Sequence, residues 1–298
     1  MMTSTAPLST ALPLREALRS AVRKLTVAGV QTPEVDAELL LAHLRGTSRG
    51  EVQAAVIRGD ILEIPQAEAY LRLVARRATR EPLQHITGVA AFRSLELSVG
   101  PGVFVPRPET ETVAQFAIDA LRAAAETSPV AVDLCTGSGA IALAMATEVP
   151  HARVHAVEKS IDAFLWAKEN VARVGAENIE LVLGDAADPA TLPALAGRAA
   201  VVATNPPYVP DDAIPRDEEV RLHDPELALY GGPDGLDVVR GISRAALALA
   251  RPGGTIVVEH GEWQGEPIRE LLTADGWLAA ATHPDLTGRD RATTAVRP

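Results

Sequence analysis

The chain has 298 residues, 47% of them hydrophobic and 22% charged, which is room for two ordinary domains and the balance of a globular protein. Its formal net charge of −11 is uneven: residues 1–82 hold 11 Lys+Arg against 9 Asp+Glu, residues 83–298 hold 17 against 30. So acidic a second part is a poor match for a nucleic-acid phosphate backbone, and no direct DNA binding is expected. Cys135 is the sole cysteine, which excludes an internal disulfide and fits a reducing, cytoplasmic setting. No apolar run approaches the roughly 20 residues that a spanning helix needs, so no membrane partner is expected.

Residues 1–12 are rich in Ser, Thr and Pro and read as a flexible tail. Residues 13–81 read as a small helical domain. Leu14, Leu18, Val22 and Leu25 recur at helical spacing. Thr32-Pro33-Glu34 is a helix start, Ser48 is placed to cap a third helix, and Pro65 opens a fourth with Leu71, Leu73 and Val74. Arg72, Arg76, Arg77 and Arg80 cluster late in that fourth helix. They suit either an acidic partner or the helix C-terminus itself, where cations are favoured.

Glu81-Pro82 breaks the helical pattern. Residues 82–105 read as a β-hairpin connector, with His85–Gly88 and Phe92–Val99 as its arms. Residues 106–298 read as an α/β domain. Strands alternate with helices there, which means an open, mostly parallel sheet. Val130–Leu134 is its first strand, Cys135-Thr136-Gly137-Ser138-Gly139 the turn, and Ala140–Thr147 the helix that follows. Val154–Val157 ends at Glu158, and Ile179–Leu183 ends at Gly184-Asp185. The apolar run Ala199–Ala203 leads to Asn205-Pro206-Pro207-Tyr208. Gly254–Val258 ends at Glu259-His260-Gly261, and Trp277–Ala281 with Thr293–Val296 forms a closing hairpin.

Gly137-x-Gly139-x-x-Ala142 with Glu158 downstream formally meets the dinucleotide fingerprint, which keeps a nicotinamide-dependent oxidoreductase open. The same geometry serves S-adenosylmethionine, a Rossmann-like alternative. Asp133, just before the turn, suits a ligand ammonium and would repel a pyrophosphate. Glu158 suits ribose hydroxyls, and Asp185 an adenine amine. The prolines after Asn205 make a rigid turn rich in acceptors. The Asn205 side-chain oxygen and a neighbouring carbonyl are suited to accept both hydrogens of a planar –NH2 group, with Tyr208 on its face. A methyl donor beside an –NH2 clamp points to methyl transfer to nitrogen. His85 and His260 are read as structural.

These stretches resemble the HemK/PrmC family of bacterial protein methyltransferases, which modify the glutamine of the Gly-Gly-Gln motif in peptide chain release factors. The resemblance covers nearly the whole chain. It rests on Glu81-Pro82, His85-Ile86, Gly88 and Phe92, on Val105-Pro106-Arg107-Pro108-Glu109-Thr110-Glu111, on Asp133–Gly139 and on Asn205–Tyr208. Arg221, Asp224-Pro225, Ala228-Leu229, Gly231-Gly232, Asp234–Leu236 and Glu259–Gly261 with Gln264 extend it. The resemblance implies a class I, S-adenosylmethionine-dependent catalytic domain with Asn205, Pro206, Pro207 and Tyr208 as catalytic residues. It also implies that Cys135–Gly139, Glu158 and Asp185 line the cofactor, and that Phe104 and Pro106 help to close the pocket. The helical domain would hold the release factor. A relative acting on a ribosomal-protein glutamine shares the tetrapeptide, as do DNA adenine methyltransferases. Two departures stand out. Cys135 replaces a usual glycine, tolerable if its φ is negative, and Asp224 stands where Glu is usual.

Overall fold

The computed structural model describes residues 11–298. The expected tail therefore lies outside the described residues except for its end, and that end is not loose. Leu12–Pro13 (β1) runs antiparallel to Ile61–Leu62 (β2), with Leu12 opposite Leu62.

The chain forms two compact units. The first runs up to Gly88 and also takes in Arg216–His223. Its helices are Leu14–Val27 (α1), Pro33–Arg45 (α2), Arg49–Arg58 (α3), Ile64–Arg77 (α4) and Leu83–Thr87 (α5). Ser48 caps α3 in a full capping box with Glu51, as its position implied. Gly46 and Gly59 end α2 and α3 in the left-handed conformation that glycine adopts without penalty. Leu14, Leu25, Leu40, Leu41, Tyr70 and Val74 fill the core, and the Tyr70 hydroxyl donates to the Ala37 carbonyl at 2.9 Å.

Most of the arginine cluster of α4 is spoken for. Arg77 is 4% exposed and donates to Asp36 at 2.7 Å and to Glu219 at 2.5 Å. Arg80 reaches Glu219 at 3.1 Å and the Gly29 carbonyl at 2.9 Å, and Arg76 pairs with Glu81. Glu219 belongs to Glu218–His223 (α9), the short helix of the returning segment. Three of the four arginines thus neutralise carboxylates of their own unit. Arg72 alone of the four is exposed without an ion pair among the described residues.

The connector is shorter than expected. His85–Thr87 is helix rather than strand. Pro82 starts one turn and Gly88, at φ 77°, ends it, while Ile86 joins the helical core. The hairpin is Val89–Phe92 (β3) against Leu95–Ser98 (β4). Phe92 and Leu97 are fully buried in the core of the second unit, so the hairpin is part of that unit.

The second unit, Val89–Pro215 with Asp224–Pro298, holds a seven-stranded sheet. In chain order its elements are Thr110–Arg122 (α6), Val130–Leu134 (β5), Ala140–Glu148 (α7), Arg153–Glu158 (β6), Ile161–Val174 (α8), Ile179–Leu183 (β7) and Ala199–Thr204 (β8). Then come Glu226–Leu229 (α10), Asp237–Leu249 (α11), Ala250–Glu259 (β9), Gly265–Asp275 (α12), Leu278–Pro284 (β10) and Asp290–Val296 (β11). The sheet order is β10-β11-β9-β8-β5-β6-β7, with β9 to β7 parallel and β11 and β10 antiparallel. Every residue of β5 and β8 is buried, as the central strands of a parallel sheet covered on both faces require. The chain leaves β5 towards β6 and β7, then returns to the other side of β5 as β8. That reversal puts the topological switch point between β5 and β8, where open α/β sheets bind ligands.

Candidate active site

The two motifs singled out from the sequence leave adjacent strands at the same level. Leu134 of β5 pairs with Thr204 of β8, so Cys135 and Asn205 emerge side by side at the switch point. The Thr204 hydroxyl donates to the Leu134 carbonyl at 2.6 Å and ties the two strand ends together.

The glycine turn departs from expectation at its first residue. Cys135 has φ 65°, in the left-handed region, not the negative φ under which a side chain is comfortable. The close approach of Thr136 N to the Val157 carbonyl, 3.0 Å, locks the turn in that shape. Burial and the nearby Glu158 and Asp133 carboxylates push the thiol pKa up, so it stays protonated. Gly137 at φ 58° and Gly139 at φ 86° carry the rest of the bend, and a Cβ on Gly137 would meet nothing within 4 Å. Backbone here is open to a ligand. Within the turn only Cys135 and Gly137 are partly exposed; Thr136, Ser138 and Gly139 are buried.

Asp133 is fully buried, and its Oδ2 braces the turn by accepting from the Thr136 hydroxyl at 2.6 Å and the Ala142 amide at 3.1 Å. Its Oδ1 is buried without a hydrogen-bond partner among the described residues. Burial outweighs those two bonds and pushes its pKa up to about 7. Asn170 of α8, which sequence reasoning missed, does the same from the side. Its amide donates to the Ser138 and Ser98 carbonyls at 2.9 Å and accepts from the Ser98 amide at 2.6 Å.

Glu158 and Asp185 stand at the ends of β6 and β7, as expected. Glu158 is 8% exposed and accepts from the amides of Gly137, Lys159 and Ser160 at 2.8, 2.9 and 2.8 Å. A carboxylate offers about four acceptor positions, so capacity remains for a further donor. Asp185 is more open. Lys159 at 2.9 Å, then the Ala187 amide, hold its pKa below the usual range.

The Asn205–Tyr208 loop is clamped from behind. A Cβ on Gly231 would sit 2.5 Å from the Pro207 carbonyl oxygen. Gln264 donates to the Tyr208 carbonyl at 3.0 Å and accepts from the Gly261 amide at 2.9 Å. Val209, next in the chain, donates to the Leu229 carbonyl and bridges to Tyr230. The Pro206 carbonyl, by contrast, accepts no backbone hydrogen bond among the described residues. Asn205 is partly exposed, and its Nδ2 donates to the Thr110 hydroxyl at 3.4 Å.

At the end of β9 stands a carboxyl whose role the sequence left unassigned. Glu259 is 2% exposed, and its buried Oε2 has no hydrogen-bond partner among the described residues. Burial pushes its pKa up to about 7 against the pull of the Thr110 hydroxyl, Arg291 and the Tyr208 hydroxyl. Burial, and then Glu259, push the Tyr208 phenol well above its ordinary value, so it remains a neutral hydroxyl. The signal was available: an apolar strand ending in an acid is the pattern already followed at Asp133 and Glu158. His260 is structural, as read. It is fully buried, with its ring nitrogens 2.8 Å from the Gly261 carbonyl and from the Thr293 hydroxyl.

Phe104 and Pro106 are partly exposed. The Arg107 guanidinium sits 5.2 Å from the Phe104 ring centroid and donates to Asp224 at 2.9 Å, so the shorter acid at 224 still reaches its partner. Among the described residues, no cluster of His, Cys, Asp and Glu is arranged to hold a metal, and no helix is long and apolar enough to cross a membrane.

Two family models match this chain: the PrmC N-terminal domain over residues 16–88, and the methyltransferase small domain over residues 94–218. The chain is 50% identical to a release factor glutamine methyltransferase of Streptomyces coelicolor over 283 residues, covering 92% of this chain and 95% of that one. It is 45% identical over 291 residues to the proteins of the same name from Bifidobacterium longum and Mycolicibacterium smegmatis, covering 95% of this chain and 99% and 98% of theirs. With the glycine turn and the Asn205 loop meeting at one switch point, and with similarity running from the helical unit through the sheet, this chain belongs to the release factor glutamine methyltransferase family.

Proposed function

We propose that the protein transfers a methyl group from S-adenosylmethionine to the side-chain amide nitrogen of the Gly-Gly-Gln glutamine in peptide chain release factors, in the cytoplasm. The observation that carries this reading is the pairing of Leu134 with Thr204. It sets Asn205, which we read as the –NH2 clamp, beside the glycine turn, whose backbone is open at Gly137.

The residues present fit the cofactor. Backbone at Cys135 and Gly137 is the face a ligand would meet, with Thr136, Ser138 and Gly139 supporting it from within. Glu158 would receive ribose hydroxyls with its remaining acceptor capacity, and Asp185 the adenine amine. Phe104 and Pro106 would help to close the pocket. When bound, the cofactor supplies an electrophilic sulfonium methyl group.

An amide nitrogen is a poor nucleophile because its lone pair is delocalised into the carbonyl. The Asn205 side-chain oxygen and the Pro206 carbonyl are suited to accept both amide hydrogens and turn the nitrogen towards the methyl group. Fixing a reacting geometry of this kind is worth up to about 7–11 kcal/mol in favourable cases. The same acceptors stabilise positive charge as it develops on nitrogen. The N-alkylated amide then loses a proton to water without a strong base. Tyr208 would pack on the amide plane, and Pro207 keeps the loop rigid. The helical unit would hold the body of the release factor.

Methyl transfer from labelled S-adenosylmethionine to purified release factors, wild type and with the Gly-Gly-Gln glutamine replaced, tests the proposal. Label on the wild-type factor alone is the expected result. Label on neither factor but on a large-subunit ribosomal protein or DNA would overturn the substrate and leave the clamp. Loss of transfer in Asn205→Ala with cofactor binding retained separates an enzyme from a mere binder.

A further inference from the structure

Helix α8 turns one face to the chain that leaves the β3–β4 hairpin. Asp162, Trp166 and Asn170 are spaced four residues apart, so they line one side of that helix. Their partners run past them in the opposite direction. Asn170 holds both backbone groups of Ser98. The Trp166 indole N–H donates to the Pro101 carbonyl at 3.2 Å, and a Cβ on Gly100 would lie 2.6 Å from Cζ2 and 2.9 Å from Cη2 of the ring. A Cβ on Gly102, at φ 88°, would lie 3.0 Å from the Cβ of Asp162. Both glycines let the backbone lie directly on the helix. Val99, Val103 and Val105 are buried in one cluster with Ala163 of α8, and Trp166 packs against that cluster.

This segment spans the switch point. Gly102 touches the first turn of α8, just beyond Glu158 at the end of β6. The chain then runs to Thr110, the first residue of α6, whose hydroxyl is 3.4 Å from the Asn205 amide at the end of β8. β5 lies between β6 and β8, so a chain joining those two places passes the end of β5, where the glycine turn lies. Asn170 ties segment and turn together directly, since its amide also donates to the Ser138 carbonyl. Phe104 and Pro106 sit on this stretch and are partly exposed, while Val103 and Val105 beside them are buried.

We infer that Trp166 is a positioning residue for cofactor binding: seated against Gly100 and Pro101, it holds residues 98–106 as a fixed strap that presents Phe104 and Pro106 to S-adenosylmethionine. The inference rests on the reading of Phe104 and Pro106 as closing the cofactor pocket. A strap already in place need not be ordered when the cofactor binds, whereas one in place only a tenth of the time raises the apparent Kd about tenfold.

The test measures S-adenosylmethionine affinity by calorimetry, kcat at saturating cofactor and Tm in Gly100→Ala, Trp166→Phe, their combination and Phe104→Ala. Gly100→Ala drives the strap off the indole and is expected to raise the cofactor Kd about tenfold, with kcat at saturating cofactor retained. Trp166→Phe loses the bond to the Pro101 carbonyl, and a rise of about threefold is expected. Phenylalanine also lacks the two indole atoms that the added Cβ would meet, so the combination should bind no more weakly than Trp166→Phe alone. A residue that only stabilised the fold would lower Tm and leave the Kd of the folded protein unchanged. Trp166→Phe stands in if Gly100→Ala does not fold. Unchanged Kd in the folded single variants beside a raised Kd in Phe104→Ala, or an additive loss in the combination, overturns the inference alone. Unchanged Kd in Phe104→Ala overturns the pocket-closing reading and this inference with it.

Discussion

A Cβ on Gly235 would lie 2.2 Å from the Tyr208 carbonyl oxygen, so these two backbones touch as closely as glycine permits. The same loop also packs against Gly231, and Gln264 takes the Tyr208 carbonyl as its acceptor. Gly235→Ala adds a clash to a φ of 75°. We expect a stability loss of about 2 kcal/mol or more, with a fall in kcat that persists at temperatures where the variant stays folded. Denaturant melts and methyl-transfer rates measured together check this. A fully active, destabilised variant would mean that the clamp behind Tyr208 does not matter for the chemistry.

Cys135 holds a left-handed conformation that an L residue adopts at roughly 1–2 kcal/mol. Replacing it with glycine relieves that strain but gives up thiol packing and adds chain entropy, each worth up to about 1 kcal/mol. The terms nearly cancel, and Cys135→Gly is expected within about 0.5 kcal/mol of wild type, with activity retained. Cys135→Val puts a β-branched residue at the same φ and should cost at least about 2 kcal/mol. Chemical denaturation of both variants is the measurement.

Arg77 and Arg72 sit on one helix but differ in consequence. Arg77→Met leaves the buried Asp36 without its ion-pair partner, although Glu219 keeps Arg80, and should destabilise by about 3–5 kcal/mol. Arg72→Met, on the exposed face, should fall within about 0.5 kcal/mol. Equal effects in thermal melts would refute the distinction.

Asp133 and Glu259 predict an unusual pH dependence. Both carboxyls have pKa values raised to about 7, first by burial. Between about pH 4 and 7 the native state therefore holds protons that the unfolded chain has released, so these groups' contribution is greatest below pH 4 and is lost as pH rises through 7. On going from pH 5 to pH 8, Asp133→Asn should gain on wild type by on the order of 3 kcal/mol. Melts at the two pH values check the sign.

The strands, their order of appearance and the residues at their ends were legible in the sequence because each is a local pattern. An apolar run, a glycine turn or a proline pair is visible within ten residues. Asn205, Glu158 and Asp185 were found that way, as were the helical unit and the sheet. The conformation of Cys135 was not, because φ there is set by the bond from Thr136 to Val157 on the neighbouring strand. Nor was the bracing role of Asp133, which depends on the depth of the turn below the surface. His85–Thr87 misled because one helical turn between Pro82 and Gly88 is too short to display a period. The arginines of α4 looked available until Glu219 arrived from 142 residues away. Asn205 and Thr110 meet only because the end of β8 and the start of α6 come together, and no sequence spacing records that meeting. Local patterns name the residues that stand at the sheet's edge. Long-range packing decides which of them face a ligand and which hold the others in place.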